Sequence, residues 1–425
     1  MNYKKRFDRD HRILHRGELQ RRDGRYEYKW TDFFGRRHSV YAKDLDTLRI
    51  KEEKLELDRL EGIKVPPSRL TIEDLYETWI KLKRGIRPST RSNYIYTFDS
   101  LIRPIIGKKL VTKIKRSDVK AYYVLLLEER GISIGTVDNV HTILHQIFQF
   151  AVDDDYLRKN PTDHALKEIK LSYNLKGMKR NALSLRHEVN FLDYLFNNDQ
   201  YFRWYPTFFI MANTGLRVGE LTGLRWCDID LDKMIIDVNH GLVYYNHRDG
   251  TGCGFSIHSP KTNNGTRLIP MTQAVKEAFL MEKEYQETIG IKSLDEIDGY
   301  KDFIFINYRG HVQNQHMLNR ALHSIIRSYN SRKPHMNKLV PVDILPEFSC
   351  HVLRHTFATR MFEAGASAKY VQSIMGHSEV QTTLDIYVDV SYELTVTQFK
   401  PFETYMNTAF GQAAGKTDKT INIIS

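Results

Sequence analysis

Cysteine and long apolar runs are nearly absent from this sequence. The three cysteines, Cys227, Cys253 and Cys350, are odd in number and widely spaced, which argues against a disulfide framework or a cysteine-based zinc module and for a reducing cytoplasm. No apolar run approaches the roughly 20 residues needed to span a bilayer, and the basic N-terminus has no apolar signal core. We therefore expect no membrane span and no secretion signal.

Acidic residues are scarce relative to basic ones. The 63 lysines and arginines exceed the 52 aspartates and glutamates, so the formal net charge is +11. This excess predicts a polyanionic partner, with nucleic acid first and an acidic membrane surface second. The 425 residues suffice for two or three domains with hydrophobic cores.

Residues 1–43 are basic and aromatic, and they predict a small sheet domain. Strands are expected at 13–14, 26–30 and 38–41, with a basic face that suits a DNA groove. The alternative is a solvated sheet whose charge only aids solubility. The candidate DNA contacts are Arg21, Arg22, Arg25, Arg36 and Arg37. Residues 44–69 predict a leucine-rich connecting helix followed by a linker.

Residues 70–162 predict a helical domain, which taken alone fits any small bundle. We expect Thr71 to cap a helix over 72–83 and Ser89 to cap one over 90–105, with further helices over 119–130 and from Gly135 to about Asp153. Residues 163–181 predict a basic linker. Basic and hydroxyl side chains at helix starts and in the linker suit phosphate binding, and the candidates are Arg87, Ser89, Thr90, Arg91, Lys176, Lys179 and Arg180.

Residues 182–400 predict the largest domain, which is rich in helices and carries a strand-rich insert. A helix over 205–212 leads into a break, after which Arg217 stands in the first turn of the next helix and Glu220 can pair with it. Strands are expected over 234–243 and 254–258. Residues 260–270 predict a strand, an Asn-Gly turn and a strand, which places Lys261 beside a hairpin tip. The predicted fold class is mainly α with small β elements (α+β): a three-stranded N-terminal sheet, a helical middle domain and a mixed α/β third domain.

Residues 350–387 predict three short helices, over 350–363, 368–375 and about 379–387, with Gly365 and Gly376 ending the first two. His351, Arg354 and His355 are three and four residues apart, so they share one helix face, and a cationic face of this kind makes sense if it receives an anion. A histidine pair at this spacing could also be half of a metal site. No carboxylate or cysteine stands at a useful spacing from the pair, so we expect no metal.

Four motifs in this order resemble the tyrosine recombinases, also called phage-type integrases. They are TGLRVGEL, PKTNNGTRLIP, HVLRHTFAT and MGHSEVQTTLDIY, and together they span Thr214 to Tyr387. With the basic sheet and the helical middle domain, the chain is most similar to integrases of conjugative transposons. The family often has a histidine two residues after its nucleophile, where this chain has Asp389.

The resemblance implies a site-specific DNA recombinase of a mobile element, which cuts and rejoins DNA through a 3′-phosphotyrosine for integration and excision. The implied catalytic residues are Arg217, Lys261, His351, Arg354, His377 and Tyr387, and Glu220 and His355 are expected to brace them. Tyr387 would be the nucleophile, His351 its base and Lys261 the acid that protonates the leaving 5′ oxygen. The two guanidiniums suit the non-bridging phosphate oxygens, and His377 would donate a further hydrogen bond.

The resemblance also implies partners. We expect double-stranded DNA at attachment sites, a homotetramer on that DNA, a directionality factor, a host DNA-bending protein and no cofactor. Apolar residues recur at helical spacing over 402–410, so the tail 401–425 is expected to carry a helix that docks on a neighbouring subunit or packs on its own domain. Two alternative functions are a type IB-like topoisomerase and a non-catalytic DNA-binding regulator.

Overall fold

The computed structural model describes residues 5–31, 35, 37–60, 70–173, 182–260, 265–331, 344–377, 379, 381, 383 and 384. The chain divides into two compact units, Met1–Met178 and Lys179–Ser425. Helices predominate in both units and the sheets are small and antiparallel, which confirms the α+β class. Among the described residues, no helix is both long and apolar enough to cross a bilayer.

The first unit begins with two small sheets. Their strands are β1 Arg6–Phe7, β2 Ile13–Leu14, β3 Glu18–Gln20, β4 Tyr26–Thr31 and β5 Arg37–Ala42. The predicted three-stranded sheet is present with the order β3-β4-β5, but its first strand is β3, because Ile13–Leu14 pairs with Arg6–Phe7 instead. Helix α1, Leu45–Leu60, buries Leu45 and Leu48 against Tyr26 and Ala42 of this sheet. Helix α1 therefore covers one face of the sheet, and Lys29 and Tyr41 on the opposite face are exposed.

Helices make up the rest of the first unit. They are α2 Ile72–Leu82, α3 Pro88–Thr97, α4 Arg116–Val124, α5 Ile134–Asp153 and α6 Ala165–Ser172, and wider π-type turns extend α3 over Phe98–Gly107 and α4 over Leu125–Glu129. The predicted cap Thr71 is confirmed, since its hydroxyl accepts from the Asp74 N–H at 3.2 Å. Ser89 is not a cap: α3 begins at Pro88, which is preorganised for a first helical turn. The predicted linker also starts too early, because α6 packs its Leu166 and Ile169 into the core of the bundle.

The second unit surrounds one main hydrophobic core. Its helices are α7 Leu185–Phe196, α8 Tyr205–Thr214, α9 Val218–Gly223, α10 Gln273–Ile289, α11 Gln315–Asn330, α12 Cys350–Glu363 and α13 Ala368–Met375. The apolar helix α8 lies at the centre, with Phe208, Ile210 and Met211 fully buried. Helices α12 and α13 confirm two of the three short helices predicted for residues 350–387, and the third lies mostly outside the described residues.

Among the described residues, the strands of the second unit form two separate sheets. They are β6 Ile229–Asp230, β7 Ile235–Val238, β8 Gly241–Asn246, β9 Cys253–His258 and β10 Arg267–Pro270. The predicted strand 234–243 is split at Asn239-His240, because β7 pairs with β6 and β10 whereas β8 pairs with β9. The second strand of the predicted hairpin over 260–270 is present as β10, which pairs with β7. Residues 261–264, with most of the predicted first strand and Asn264 of the turn, lie outside the described residues.

The backbone of helix α9 lies directly against the backbone of strand β8. A Cβ added at Gly219 would lie 2.6 Å from the Leu242 carbonyl oxygen, and one added at Gly223 would lie 3.0 Å from the Leu242 nitrogen. Only glycine permits such contact, so these two residues set how closely the helix carrying Glu220 lies on the sheet.

We predict that Gly219→Ala destabilises the second unit by about 1–3 kcal/mol, because a backbone oxygen cannot move aside as a side chain can. Thermal unfolding of the full chain measures this. Gly135→Ala is the control, since a Cβ at that helical position meets nothing within 4 Å and should stabilise its helix by up to about 1 kcal/mol. A Gly219→Ala protein that unfolds at the wild-type temperature would show that the close approach is unimportant.

Candidate active site

Arg217 stands at the junction between α8 and α9. Gly215 ends α8 in the left-handed conformation, with φ of 64°, and a Cβ there would meet Phe357 at 2.4 Å. Arg217 immediately precedes α9, and its backbone N–H donates to Glu220 Oε2 at 2.9 Å. Its guanidinium donates to Glu220 Oε1 at 2.7 Å and to the Gly376 carbonyl at 2.9 Å. The side chain nevertheless remains 42% exposed, so it can also reach a ligand.

Arg354 lies deeper, on α12. Its side chain is 2% exposed and donates to the Gly215 and Met375 carbonyls, while Nη1 lies 3.9 Å from Glu220 Oε2. Burial and the nearby Arg217 charge lower the pKa of Arg354 to about 9, and Glu220 opposes this shift. The guanidinium therefore keeps its charge at neutral pH.

The carboxylate of Glu220 lies close to three arginines, Arg217, Arg267 and Arg354. Arg267, at the start of β10, donates from Nη1 and Nη2 to its two oxygens at 3.1 and 2.9 Å. Burial alone would raise the pKa of Glu220, but the Arg267 hydrogen bonds and the charges of Arg267, Arg217 and Arg354 lower it to about 2. One carboxylate thus faces three guanidiniums, and the cluster keeps a net positive charge that suits an anion.

His377 follows the left-handed end of α13 at Gly376. Burial and the charges of Arg354 and Arg217 lower its pKa to about 3, so the imidazole is neutral at pH 7. Its Nδ1 lies 2.9 Å from Thr383 Oγ1. The hydroxyl can therefore fix the tautomer by donating to Nδ1, which leaves Nε2 with the hydrogen.

The two remaining predicted histidines lie on α12, beside this cluster. The rings of His351 and His355 meet edge to face with centroids 4.7 Å apart, as expected for positions i and i+4 on one helix face. The charge of His355 is among those that lower the pKa of His377, which places His355 next to the cluster. The structure thus brings together Arg217, Glu220, Arg354, His355 and His377. Lys261 and Tyr387 lie outside the described residues.

Sequence reasoning missed Arg267 and Thr383. A signal for Arg267 exists in the strand pattern, because Arg267 and Ile269 alternate inward along β10 while Leu268 points outward. An arginine on the inward face of a strand requires an anionic partner. No comparable signal marks Thr383, whose role depends on its distance to His377.

The predicted DNA contacts of the first unit fall in two places. Arg37 lies at the start of β5 in the sheet that carries α1, and Arg21, Arg22 and Arg25 lie in the connection between β3 and β4. Arg25 pairs with Asp23 at 2.7 Å, and Arg21 with Glu27 at 3.5 Å.

The other candidates lie at the start of α3, where Arg87 precedes the helix and Ser89, Thr90 and Arg91 form its first turn. Arg91 donates to the Ile80 carbonyl at 2.7 Å and so also braces the bundle. Arg36, Lys176, Lys179 and Arg180 lie outside the described residues.

A group of side chains of metal-ligating types lies in the first unit. Within the part of the chain that the structure describes, ligand atoms of His15, Glu18 and Glu52 lie within 4.8 Å of one another. Arg49 already pairs with Glu18 at 3.1 Å, which offsets the negative charge that would attract a cation.

We predict that Glu220→Gln lowers the free energy of unfolding by roughly 3 kcal/mol at pH 7, because three buried or half-buried guanidiniums lose their counter-charge. The pKa of this carboxylate is depressed, so its contribution is present above its ordinary pKa near 4.5 and is lost as the pH falls towards 2.

The difference between wild type and variant should therefore shrink between pH 4.5 and pH 2, as measured by urea unfolding. Glu347→Gln is the control, because that exposed glutamate pairs only with His323 among its described ion-pair partners and should change stability by under about 0.5 kcal/mol. A pH-independent difference would contradict the charge argument.

Comparison with known proteins shows which family the chain belongs to. The model of the phage integrase family matches residues 181–393, that of the phage integrase central domain matches residues 72–167, and that of the DNA binding domain of Tn916 integrase matches residues 2–60. The transposase from transposon Tn1545 of Streptococcus agalactiae serotype V is 31% identical over 412 residues, covering 93% of this chain and 96% of the relative. The transposase from transposon Tn916 of Enterococcus faecalis has the same identity and coverage.

The chain is also similar to solved structures of integrases. The Tn1549 transposon integrase in complex with circular intermediate DNA is 28% identical, with a TM-score of 0.66 over 78% of this chain and 99% of that chain. A lambda integrase tetramer bound to a Holliday junction is 17% identical with a TM-score of 0.50, which supports the fold alone. The chain therefore belongs to the phage integrase family and is a tyrosine-type site-specific recombinase of a mobile element, similar to the integrases of conjugative transposons.

Proposed function

We propose that this recombinase binds double-stranded DNA at the ends of its element and holds the scissile phosphate on the cluster around Glu220. The observation that carries the proposal is the excess of guanidinium over carboxylate there, with Arg217, Arg267 and Arg354 around one buried glutamate. In-line phosphoryl transfer builds charge on the non-bridging oxygens, and preorganised cations stabilise that charge without a metal ion.

Each predicted residue then has a role. The Tyr387 oxygen attacks phosphorus and forms a 3′-phosphotyrosine, while the bond from phosphorus to the 5′ oxygen breaks. His351 takes the tyrosine proton, and Lys261 gives a proton to the leaving 5′-hydroxyl. Arg217 and Arg354 hold the non-bridging oxygens. One ester replaces another, so rejoining by a second 5′-hydroxyl reverses the step without ATP.

His377 is proposed to donate to the phosphate as a neutral imidazole. Its pKa of about 3 excludes a charged ring at pH 7 in the free protein, and donation from Thr383 to Nδ1 would leave an Nε2–H for the phosphate oxygen. His355 and Glu220 brace these groups from α12 and α9.

The first unit is proposed to supply the remaining DNA contacts. The sheet face opposite α1 and the adjoining turns, with Arg21, Arg22, Arg25, Arg36 and Arg37, would bind accessory sites. The start of α3, with Arg87, Ser89, Thr90 and Arg91, and the basic residues Lys176, Lys179 and Arg180 would contact DNA at the crossover core.

Strand exchange between two duplexes calls for four protomers. We propose a homotetramer on DNA in the cytoplasm, assisted by a directionality factor and a host DNA-bending protein. The tail 401–425 lies outside the described residues, and its apolar spacing supports docking on a neighbouring subunit.

We predict that Tyr387→Phe abolishes covalent attachment to DNA and leaves DNA affinity close to unchanged, because only the attacking oxygen is removed. A nicked duplex carrying an end of the element is mixed with protein in EDTA and run on a denaturing gel. An adduct with wild type that is absent from the variant is the expected outcome. An adduct that persists in Tyr387→Phe would reject this nucleophile, and one that requires a divalent cation would reject the metal-free mechanism.

We also predict that deletion of residues 1–61 weakens binding at accessory sites and spares binding at the crossover core, because the sheet and the helical bundle have separate cores. Gel-shift titrations with the two DNA types measure this. Arg22→Gln/Arg25→Gln in the full chain is the matched variant, since it removes basic side chains from the turn without removing a domain. An equal loss at both sites would contradict separate roles.

A further inference from the structure

We propose that Arg267 is a positioning residue for DNA cleavage, acting through Glu220 and through the end of α13 on Arg217 and Arg354. The proposal rests on the function proposed above. Arg267 is 9% exposed, so it is not placed to be a general surface contact for DNA. Its hydrogen-bond acceptors lie on two different elements, α9 and α13, and at the nearby Gly265 carbonyl.

The first part of the argument concerns charge. Arg267 occupies both oxygens of Glu220 with its two terminal nitrogens. Three guanidiniums against one carboxylate leave a net charge of two positive units beside the proposed phosphate position. Without Arg267, that net charge falls to one, and Glu220 is freer to compete with the phosphate for the N–H groups of Arg217.

The second part concerns geometry. Arg267 Nε donates to the Ile374 carbonyl at 2.5 Å. The next carbonyl, of Met375, accepts from Arg354, and the one after it, of Gly376, accepts from Arg217. Three successive carbonyls at the end of α13 thus hold three different arginines. Loss of the Arg267 contact releases the segment against which both phosphate-binding guanidiniums are oriented.

The side-chain chemistry explains why an arginine stands here. The guanidinium fork reaches two carboxylate oxygens with Nη1 and Nη2 and a carbonyl in another direction with Nε. A lysine ammonium carries the same charge but lacks this fixed fork. Arg267→Lys therefore separates the loss of geometry from the loss of charge, and Arg267→Gln removes the charge.

The test is single-turnover cleavage of a nicked duplex by the full chain, with protein in excess and DNA affinity measured separately. We expect Arg267→Gln to slow cleavage at least about tenfold and to change the Kd for DNA by less than about threefold, because a displaced cation weakens transition-state binding more than duplex binding. The cleavage rate of Arg267→Lys should lie between those of wild type and Arg267→Gln.

A second substrate separates positioning from a merely structural role. Replacing one non-bridging oxygen of the scissile phosphate by methyl removes a charge that Arg217 and Arg354 would neutralise. On the ordinary phosphate substrate, wild type should cleave at least about tenfold faster than Arg267→Gln. On the methylphosphonate, we expect this ratio of rates to fall to within about threefold, because less charge remains to be stabilised. Loss of folded protein would lower both rates by the same factor, which would overturn the proposal.

Arg203→Gln is the matched control. Arg203 also holds a buried glutamate, Glu282, with both terminal nitrogens and a backbone carbonyl, that of Ile306, in the same unit. It should lower stability without a substrate-dependent change in the cleavage rate. If Arg203→Gln and Arg267→Gln behave alike, Arg267 is only structural.

The remaining outcomes are equally decisive. If Arg267→Gln does not fold, Arg267→Lys must show the same contrast between the two substrates, and its absence rejects the proposal. Cleavage at the wild-type rate by both Arg267 variants also rejects the proposal. Failure of the proposed function is distinct, because wild type itself would then form no adduct.

Discussion

The second unit depends on one carboxylate, that of Glu220, held among three guanidiniums. Arg217 reaches it from the next turn of the chain, Arg267 from β10 and Arg354 from α12. The Arg267 hydrogen bonds and the charges of all three guanidiniums offset the desolvation of Glu220, and the ionised carboxylate in turn reduces the repulsion among the guanidiniums. The resulting excess of positive charge suits a phosphodiester.

Backbone geometry holds this cluster as firmly as side-chain charge does. The left-handed ends of α8 and α13, at Gly215 and Gly376, turn carbonyl groups towards Arg354 and Arg217. Gly219 lets α9 lie directly on β8, which sets the position of Glu220. A site built from helix ends and one buried charge network is preorganised, so the proposed binding of a phosphate would need little reorganisation.

Patterns that depend on neighbours in sequence predicted the local structure well. The cap at Thr71, the helix over 350–363 and the short helix ending at Gly376 follow from side-chain periodicity and from capping chemistry that acts within a few residues. Errors arose where pairing is non-local. Residues 234–243 read as one strand because the apolar pattern is local, whereas β7 pairs with β6 and β10 and β8 pairs with β9 in another sheet. Likewise α6 looked like part of a basic linker, because Lys167 and Lys170 begin the basic run that continues to Arg180, although the helix buries Ala165, Leu166 and Ile169.

The sequence by itself determined the family, through four ordered motifs, and with it the residues expected to bind and cut DNA. Its charge balance determined the class of partner, since an excess of lysine and arginine needs no fold to attract a polyanion. Only the tertiary structure decided which groups surround Glu220, that His377 is neutral and that Arg267 belongs with Arg217 and Arg354. The reason is physical: burial and distance set pKa values and ion pairs, and both arise only when segments far apart in the chain are packed together.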